Sequence, residues 1–263
     1  MIIFYMKNFY RLSRLTHYLW LILFLTISLI WLISPQNLFS SKTIIVLLAD
    51  IFLTGFGFSF NDIEDAEDDY YILEKRKRNP ISSGNLTKKQ GYVFSFLLLL
   101  TGLSLLLLIN YLVFFIGVIL AFVEFFYSWK NVRLKSIPVV DLVSHAIGFG
   151  FIQFLITYLI FRPLDLLVIP FLLIIISFSL IGDICQELKD FNVDKKTKIK
   201  NTIQKMGKSK IKKLLITTTL IIIVGSIAVI FTFQSIYSII FLISLNIVII
   251  TFVKRNLSSY CSC

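Results

Sequence analysis

Residues 43–69 read TIIVLLADIFLTGFGFSFNDIEDAEDD, an apolar run that ends abruptly in a cluster of acids. About twenty residues of helix, rising ~1.5 Å each, cross a hydrocarbon layer of ~30 Å. The stretch therefore predicts a membrane-spanning helix whose acidic end stands at the water boundary. Seven more runs have the same character, at about 16–35, 91–109, 111–128, 139–161, 164–184, 213–233 and 235–253. The predicted fold class is all-α, a polytopic membrane bundle of about eight transmembrane helices.

Composition agrees. Hydrophobic residues make up 57% of the 263 residues, and the mean hydropathy of +0.86 excludes an ordinary soluble domain. The first run follows Lys7, Arg11 and Arg14, as a signal peptide would. It is too long for a signal h-region and no small-residue cleavage site follows, so it is read as a retained span.

The basic residues predict the orientation. Eight alternating spans starting from a cytoplasmic N-terminus leave only Lys42 and Arg162, of the 26 Lys and Arg, on the outside. Both termini and the acidic loops are then cytoplasmic, in a multi-pass protein of the cell membrane. The net charge of +11 follows from that topology and from attraction to anionic lipid. The lysine series Lys195 to Lys213 lacks interleaved aromatics, so nucleic acid is not expected as a partner. Cys185, Cys261 and Cys263 show no zinc-type spacing, and cytoplasmic placement argues against disulfides. The Cys-Ser-Cys end is read as a solvated tail.

A second acidic cluster, Gln186-Glu187-Leu188-Lys189-Asp190-Phe191-Asn192-Val193-Asp194, repeats the first. Aligned on Asp65 and Asp190, both give amide, acid, two residues, acid, three residues, acid. On a helix this places Asp62, Asp65 and Asp69 on one stripe and Glu187, Asp190 and Asp194 on another. Stacked carboxylates repel one another unless a cation intervenes. Two such stripes at a membrane surface suit divalent cations held against a phosphorylated substrate. The ligands are all oxygen, which favours Mg²⁺ over zinc. Glu64, Glu67 and Asp68 fall off the stripe and are read as a solvated face.

The clusters lie 125 residues apart, at the exits of the second and sixth spans. This suggests one membrane domain, 1–263, built as two four-helix halves, 1–135 and 136–263, with a shared site at their interface. Inner connections (62–90, 129–138, 185–212) are long and outer ones minimal, so chemistry is expected on the inner face.

Lys75-Arg76-Lys77-Arg78-Asn79-Pro80-Ile81-Ser82-Ser83-Gly84 follows the first stripe. Its cations suit phosphate, with Arg78 the first choice, although an inside-positive anchor explains the charge equally well. Tyr127, Lys130 and Arg133, after the fourth span, are either a second phosphate contact or belt and anchor residues. Asp50, Glu124, Asp141, His145 and Asp183 lie within spans, where charge is expensive. Asp141 and His145, four apart, either line an acceptor pocket, with His145 as base, or make a buried helix–helix hydrogen bond.

Taken in order, Asn61-Asp62-x-x-Asp65-x-x-x-Asp69, the basic loop ending Asn79-Pro80-x-Ser82-Ser83-Gly84, Tyr127-x-x-Lys130 and Asp190-x-x-x-Asp194 resemble the UbiA superfamily of intramembrane prenyltransferases. The likeness runs from Arg14 to Thr202. It implies a helical bundle with a central cavity opening to the cytoplasmic side, and Mg²⁺-dependent use of a polyprenyl diphosphate. Mapped onto this chain, Asn61, Asp62, Asp65, Asp69, Glu187, Asp190 and Asp194 would be metal–diphosphate ligands, with Asp65 and Asp190 central to catalysis. Arg78, Lys130 and Arg133, with Tyr127, would contact phosphate. The acceptor would be lipophilic: a quinone precursor, a lipid or another isoprenoid. Asn79 stands where members that build archaeal ether lipids tend to have Arg, and eight spans are found where nine are common. The competing reading is a membrane transporter with the acids as cation sites. A lipid phosphotransferase of the CDP-alcohol type lacks its Asp-Gly and Ala-Arg elements here.

Overall fold

The computed structural model describes residues 2–197, 201–206 and 208–233, and scattered positions between 239 and 253. The eighth apolar run falls mostly outside the described residues, as do the side chains of Asp190 and Asp194 and the Cys-Ser-Cys end. Every regular element among the described residues is helical, and seven helices are long and apolar enough to span a membrane. The protein is an integral membrane protein.

The chain divides into two compact units, residues 1–133 with 155–163, and residues 134–154 with 164–263. The first contains α1 (Ile2–Leu12), α2 (Leu15–Ile33), α3 (Ser41–Glu64), α4 (Ala66–Tyr70), α5 (Leu73–Arg78), α6 (Lys88–Leu107) and α7 (Tyr111–Ser128). Polar side chains start its long helices. Ser40 accepts from Thr43 N–H, Thr87 and Gln90 form a reciprocal capping box, and Asn110 accepts from Val113 N–H. Gly84, at φ +77°, turns the chain between α5 and α6, a conformation that side chains resist.

In this unit α3 is the central helix. Its span is 61% buried, against 22–33% for α2, α6 and α7. Gly102 of α6 lets the two backbones close up, since a Cβ there would fall 2.8 Å from Leu53 Cγ. Leu112, Phe115, Ile119, Phe122 and Phe126 form an exposed stripe along α7. Large apolar groups facing outward at helical spacing need lipid as their solvent.

The second unit holds α8 (Val140–His145), a π-helical segment (Ala146–Ile152), the start of α9 (Gln153–Phe161), α10 (Val168–Thr197), α11 (Thr202–Lys205) and α12 (Lys208–Phe233). The fifth span, Val140–Phe161, is thus one apolar rod interrupted by a π-helical stretch, a feature frequent at functional sites. Gly150 within it packs against Ser179 of α10.

Candidate active site

The first acidic motif is built where α3 ends. The α3 helix stops at Glu64, Asp65 caps it and α4 restarts at Ala66. Bonds from Asp65 N–H to Asn61 O (3.0 Å) and from Asp69 N–H to Asp65 O (2.8 Å) carry the helical pattern through the break. The stripe of Asp62, Asp65 and Asp69 survives the interruption for that reason.

Each stripe acid is met by a guanidinium. Arg14 Nε donates to Asp62 Oδ2 at 3.0 Å and its Nη2 donates to Oδ1, with both side chains buried. Arg133 Nη2 donates to Asp65 (2.8 Å) and to Asp68 (2.7 Å). Arg78 stands 3.7 Å from Asp62 and 3.9 Å from Asp69, near enough to feel both charges but beyond hydrogen-bond length. The Nε–H groups of Arg78 and Arg133 are buried and have no hydrogen-bond partner. Arg14 and Arg133 also hold left-handed backbone angles (φ 51° and 47°), which ordinary side chains adopt only under constraint.

Asn79 organises the opposite edge. It is fully buried, donates to Asp62 O (2.7 Å) and Asp69 Oδ2 (3.1 Å), and accepts from Ile81 N–H (3.0 Å). Ser82 Oγ donates to Ala66 O at 2.7 Å, tying the loop to α4. Burial lifts the Asp69 carboxyl above the usual carboxylate range. The Asn79 amide holds it back, Asp65 and Asp62 push it further up, and Arg78 pulls down.

The off-stripe acids correct the expected solvated face. Glu64 is buried, accepting from Tyr92 OH (2.6 Å) and Lys130 N–H (2.9 Å). Glu67 is exposed as expected, but it is clamped by Lys130 and by Lys88 at 2.6 Å. Its pKa is held down at about 2, chiefly by the Lys130 hydrogen bond. Lys130 and Arg133 thus lie against acids of the first motif. Tyr127, half-buried, ends α7 beside Ser128, whose Oγ donates to Asn61 Oδ1 at 3.1 Å.

In the second unit, α10 presents Ser179, Asp183 and Glu187 one turn apart, on the stripe predicted to continue to Asp190 and Asp194. Glu187 is buried and accepts from Ile203 N–H at 3.3 Å. Asp141, fully buried, receives the N–H and hydroxyl of Thr202. His145, one turn along, places Nδ1 3.1 Å from Ser179 Oγ. Asp141 therefore tethers the segment after the second motif, while His145 faces the polar column of α10. Among the described residues no three His, Cys, Asp or Glu side chains converge as a ready metal site.

Two residues hold places at the site that the sequence does not assign them: Arg14, noted there as a basic residue before the first span and as the start of the family likeness, and Asn79, noted as a departure from ether-lipid members.

The described residues of this integral membrane protein thus hold a carboxylate stripe met by arginines at the end of α3, and two buried acids, Asp183 and Glu187, one turn apart on α10. Residues 19–260 match the UbiA prenyltransferase family, and the chain belongs to that family. No protein of curated function matches the sequence. Among solved structures, a UbiA homologue from Archaeoglobus fulgidus is 20% identical with a TM-score of 0.73, over 95% of this chain and 85% of that one. The same homologue bound to GPP and Mg²⁺ is 18% identical with a TM-score of 0.72, over 97% of each chain. A digeranylgeranylglyceryl phosphate synthase is 22% identical with a TM-score of 0.68, over 97% of this chain and 91% of that one. At these identities the likeness establishes the fold, and the family match makes the chain a membrane prenyltransferase.

Proposed function

We propose that the protein transfers an isoprenyl group from a polyprenyl diphosphate to a lipophilic acceptor, in a Mg²⁺-dependent reaction at the cytoplasmic face. The observation that carries this reading is the first motif's charge arrangement. Three acids share one stripe with three arginines, two of which keep a buried, unpartnered N–H. Such a cluster suits a group that is anionic toward the arginines and reaches the acids through a cation. A diphosphate with Mg²⁺ is that group. The hard oxygen donors of Asn61, Asp62, Asp65 and Asp69 fit Mg²⁺, and each carboxylate would share or exchange its present guanidinium on loading. The second motif, Glu187, Asp190 and Asp194, would serve the same reaction.

When bound, the metal supplies charge neutralisation for the departing diphosphate. The protein's own contribution is to bind and orient. Arg78 and Arg133 direct free N–H groups at phosphate oxygens, while Lys130 and Tyr127 border the same loop. The burial of Asp62 and Asp69 excludes water from the reacting end. His145 is the candidate acceptor-side group, with Asp141 holding the adjoining segment in place. The solved A. fulgidus homologue carries GPP or DMAPP together with Mg²⁺, which supports the donor class. Family membership also weighs against the transporter reading.

The test incubates membranes containing the protein with labelled geranylgeranyl diphosphate and a panel of aromatic, glycerol-ether and polyene acceptors, with and without Mg²⁺. A labelled lipid product that needs both protein and Mg²⁺ is expected. Product formation unaffected by chelation would overturn the metal assignment.

A further inference from the structure

The basic loop that carries Arg78 has little of its own to hold it. The α5 helix, Leu73–Arg78, buries none of its side chains, and a helix this short is unstable without outside contacts. Its end is also undone. In a helix that continued, Ile81 N–H would donate to Lys77 O and Ser82 N–H to Arg78 O. Both N–H groups turn instead to the Asn79 side chain, meeting its Oδ1 at 3.0 and 3.4 Å. Pro80 has no N–H to offer. The last two carbonyls of α5 therefore need donors from elsewhere.

Arg11 supplies them. Its Nη2 donates to Lys77 O and, at 3.3 Å, to Arg78 O, from a helix 66 and 67 positions earlier in the chain. Its Nη1 donates to Asn8 Oδ1 at 3.4 Å, and buried Asn8 in turn donates to Phe4 O at 2.9 Å. The helix that carries Arg11 is docked on the bundle. Leu12 is fully buried, and Phe9 stacks on Phe94 of α6 with ring centroids 4.7 Å apart. Arg14, with its left-handed backbone, then turns the chain into α2. Arg78 is thus held twice, its carbonyl by Arg11 and its guanidinium between Asp62 and Asp69, 3.7 and 3.9 Å away. Arg11 lies outside residues 19–260, the part of the chain that matches the family.

We propose that Arg11 is a positioning residue for the donor, fixing the backbone under Arg78 so that its guanidinium meets the diphosphate at the stripe. This assignment rests on the donor chemistry proposed above. The bonds of Arg11 run to two carbonyls and to Asn8, so it acts through Arg78. A guanidinium suits the task because one planar fork spans adjacent acceptors, whereas the ammonium of lysine is a compact point donor. Without Arg11 the two carbonyls turn to water, the loop loses its link to α1, and Arg78 spends less time over the acids.

A double-mutant cycle on donor binding tests this. Wild type, R11A, R78A and R11A/R78A in lipid nanodiscs are titrated with labelled geranyl diphosphate in the presence of Mg²⁺, with thermal unfolding followed in parallel. R11A should weaken binding on the order of 10-fold while its unfolding midpoint stays close to that of wild type. In the R78A background the same change should cost less than about 2-fold, because the group it positions is gone. R11K should fall between wild type and R11A. Wild-type affinity in R11A, a loss as large in R78A as in the parent, or a loss that only tracks a lowered midpoint would each overturn the assignment. If wild type does not bind donor, the proposed function itself fails, and this inference with it. Should R11A not fold, the cycle is run with R11K, and the same dependence on Arg78 is expected.

Discussion

Replacing Asp65 by Asn is expected to lower prenyl transfer on the order of 10³-fold while the protein still inserts and folds. Asp65 lies on the stripe between two buried acids, and its side chain is 18% exposed. It is therefore the stripe carboxylate best placed to meet an incoming cation. Its loss leaves Arg133 anchored by Asp68 at 2.7 Å, so the loop after α7 keeps its tether. Helical bonding across residue 65 uses backbone groups only, which Asn provides equally well. The expected loss is accordingly one of charge at the site, with little effect on fold. Thermal unfolding in detergent alongside labelled product formation separates the two. Asp190→Asn in the second motif is expected to behave in the same way. Full turnover by both variants would contradict the metal roles.

The largest stability effect is expected at Arg14. Its guanidinium and the Asp62 carboxylate are both buried and share two hydrogen bonds. Removing one partner of a buried pair strands the other charge, at a cost of about 3–5 kcal/mol. Arg78, at 3.7 Å and 38% exposed, is too distant and too wet to substitute. Arg14→Met should therefore lower the thermal midpoint in detergent markedly. The double variant Arg14→Met, Asp62→Leu, which removes both charges, should recover part of that loss. If the double variant is no more stable than the single one, the pair is not what holds α2 to the end of α3.

How much of this was legible in the sequence depends on the range of the interaction. The spans were legible because lipid imposes a length and a composition on each helix independently of its neighbours. The stripe was legible because i, i+3 and i+4 spacing is local, and it persisted even though α3 breaks at Asp65. Arg14 and Asp62 are 48 residues apart, and no local rule pairs them. Asn79 stands where ether-lipid members have arginine, and its buried amide both donates to Asp62 O and Asp69 Oδ2 and accepts from Ile81 N–H, the last a role for which arginine has no acceptor atom. Glu64 was assigned to solvent by its place off the stripe. Tyr92, reaching in from α6, makes that position an interior one. Local periodicity thus located the acids, while tertiary packing decided which became buried and which cation each received.

Carboxylate stripes that grip a prenyl diphosphate through Mg²⁺ must bind the donor only when the metal is present. The most direct measurement is equilibrium binding of labelled geranyl diphosphate to the protein in lipid nanodiscs, titrated with Mg²⁺. Saturable binding that rises with Mg²⁺, disappears with chelator and is absent in Asp65→Asn is the predicted result. Binding of equal strength with and without Mg²⁺, in wild type and variant alike, would contradict it.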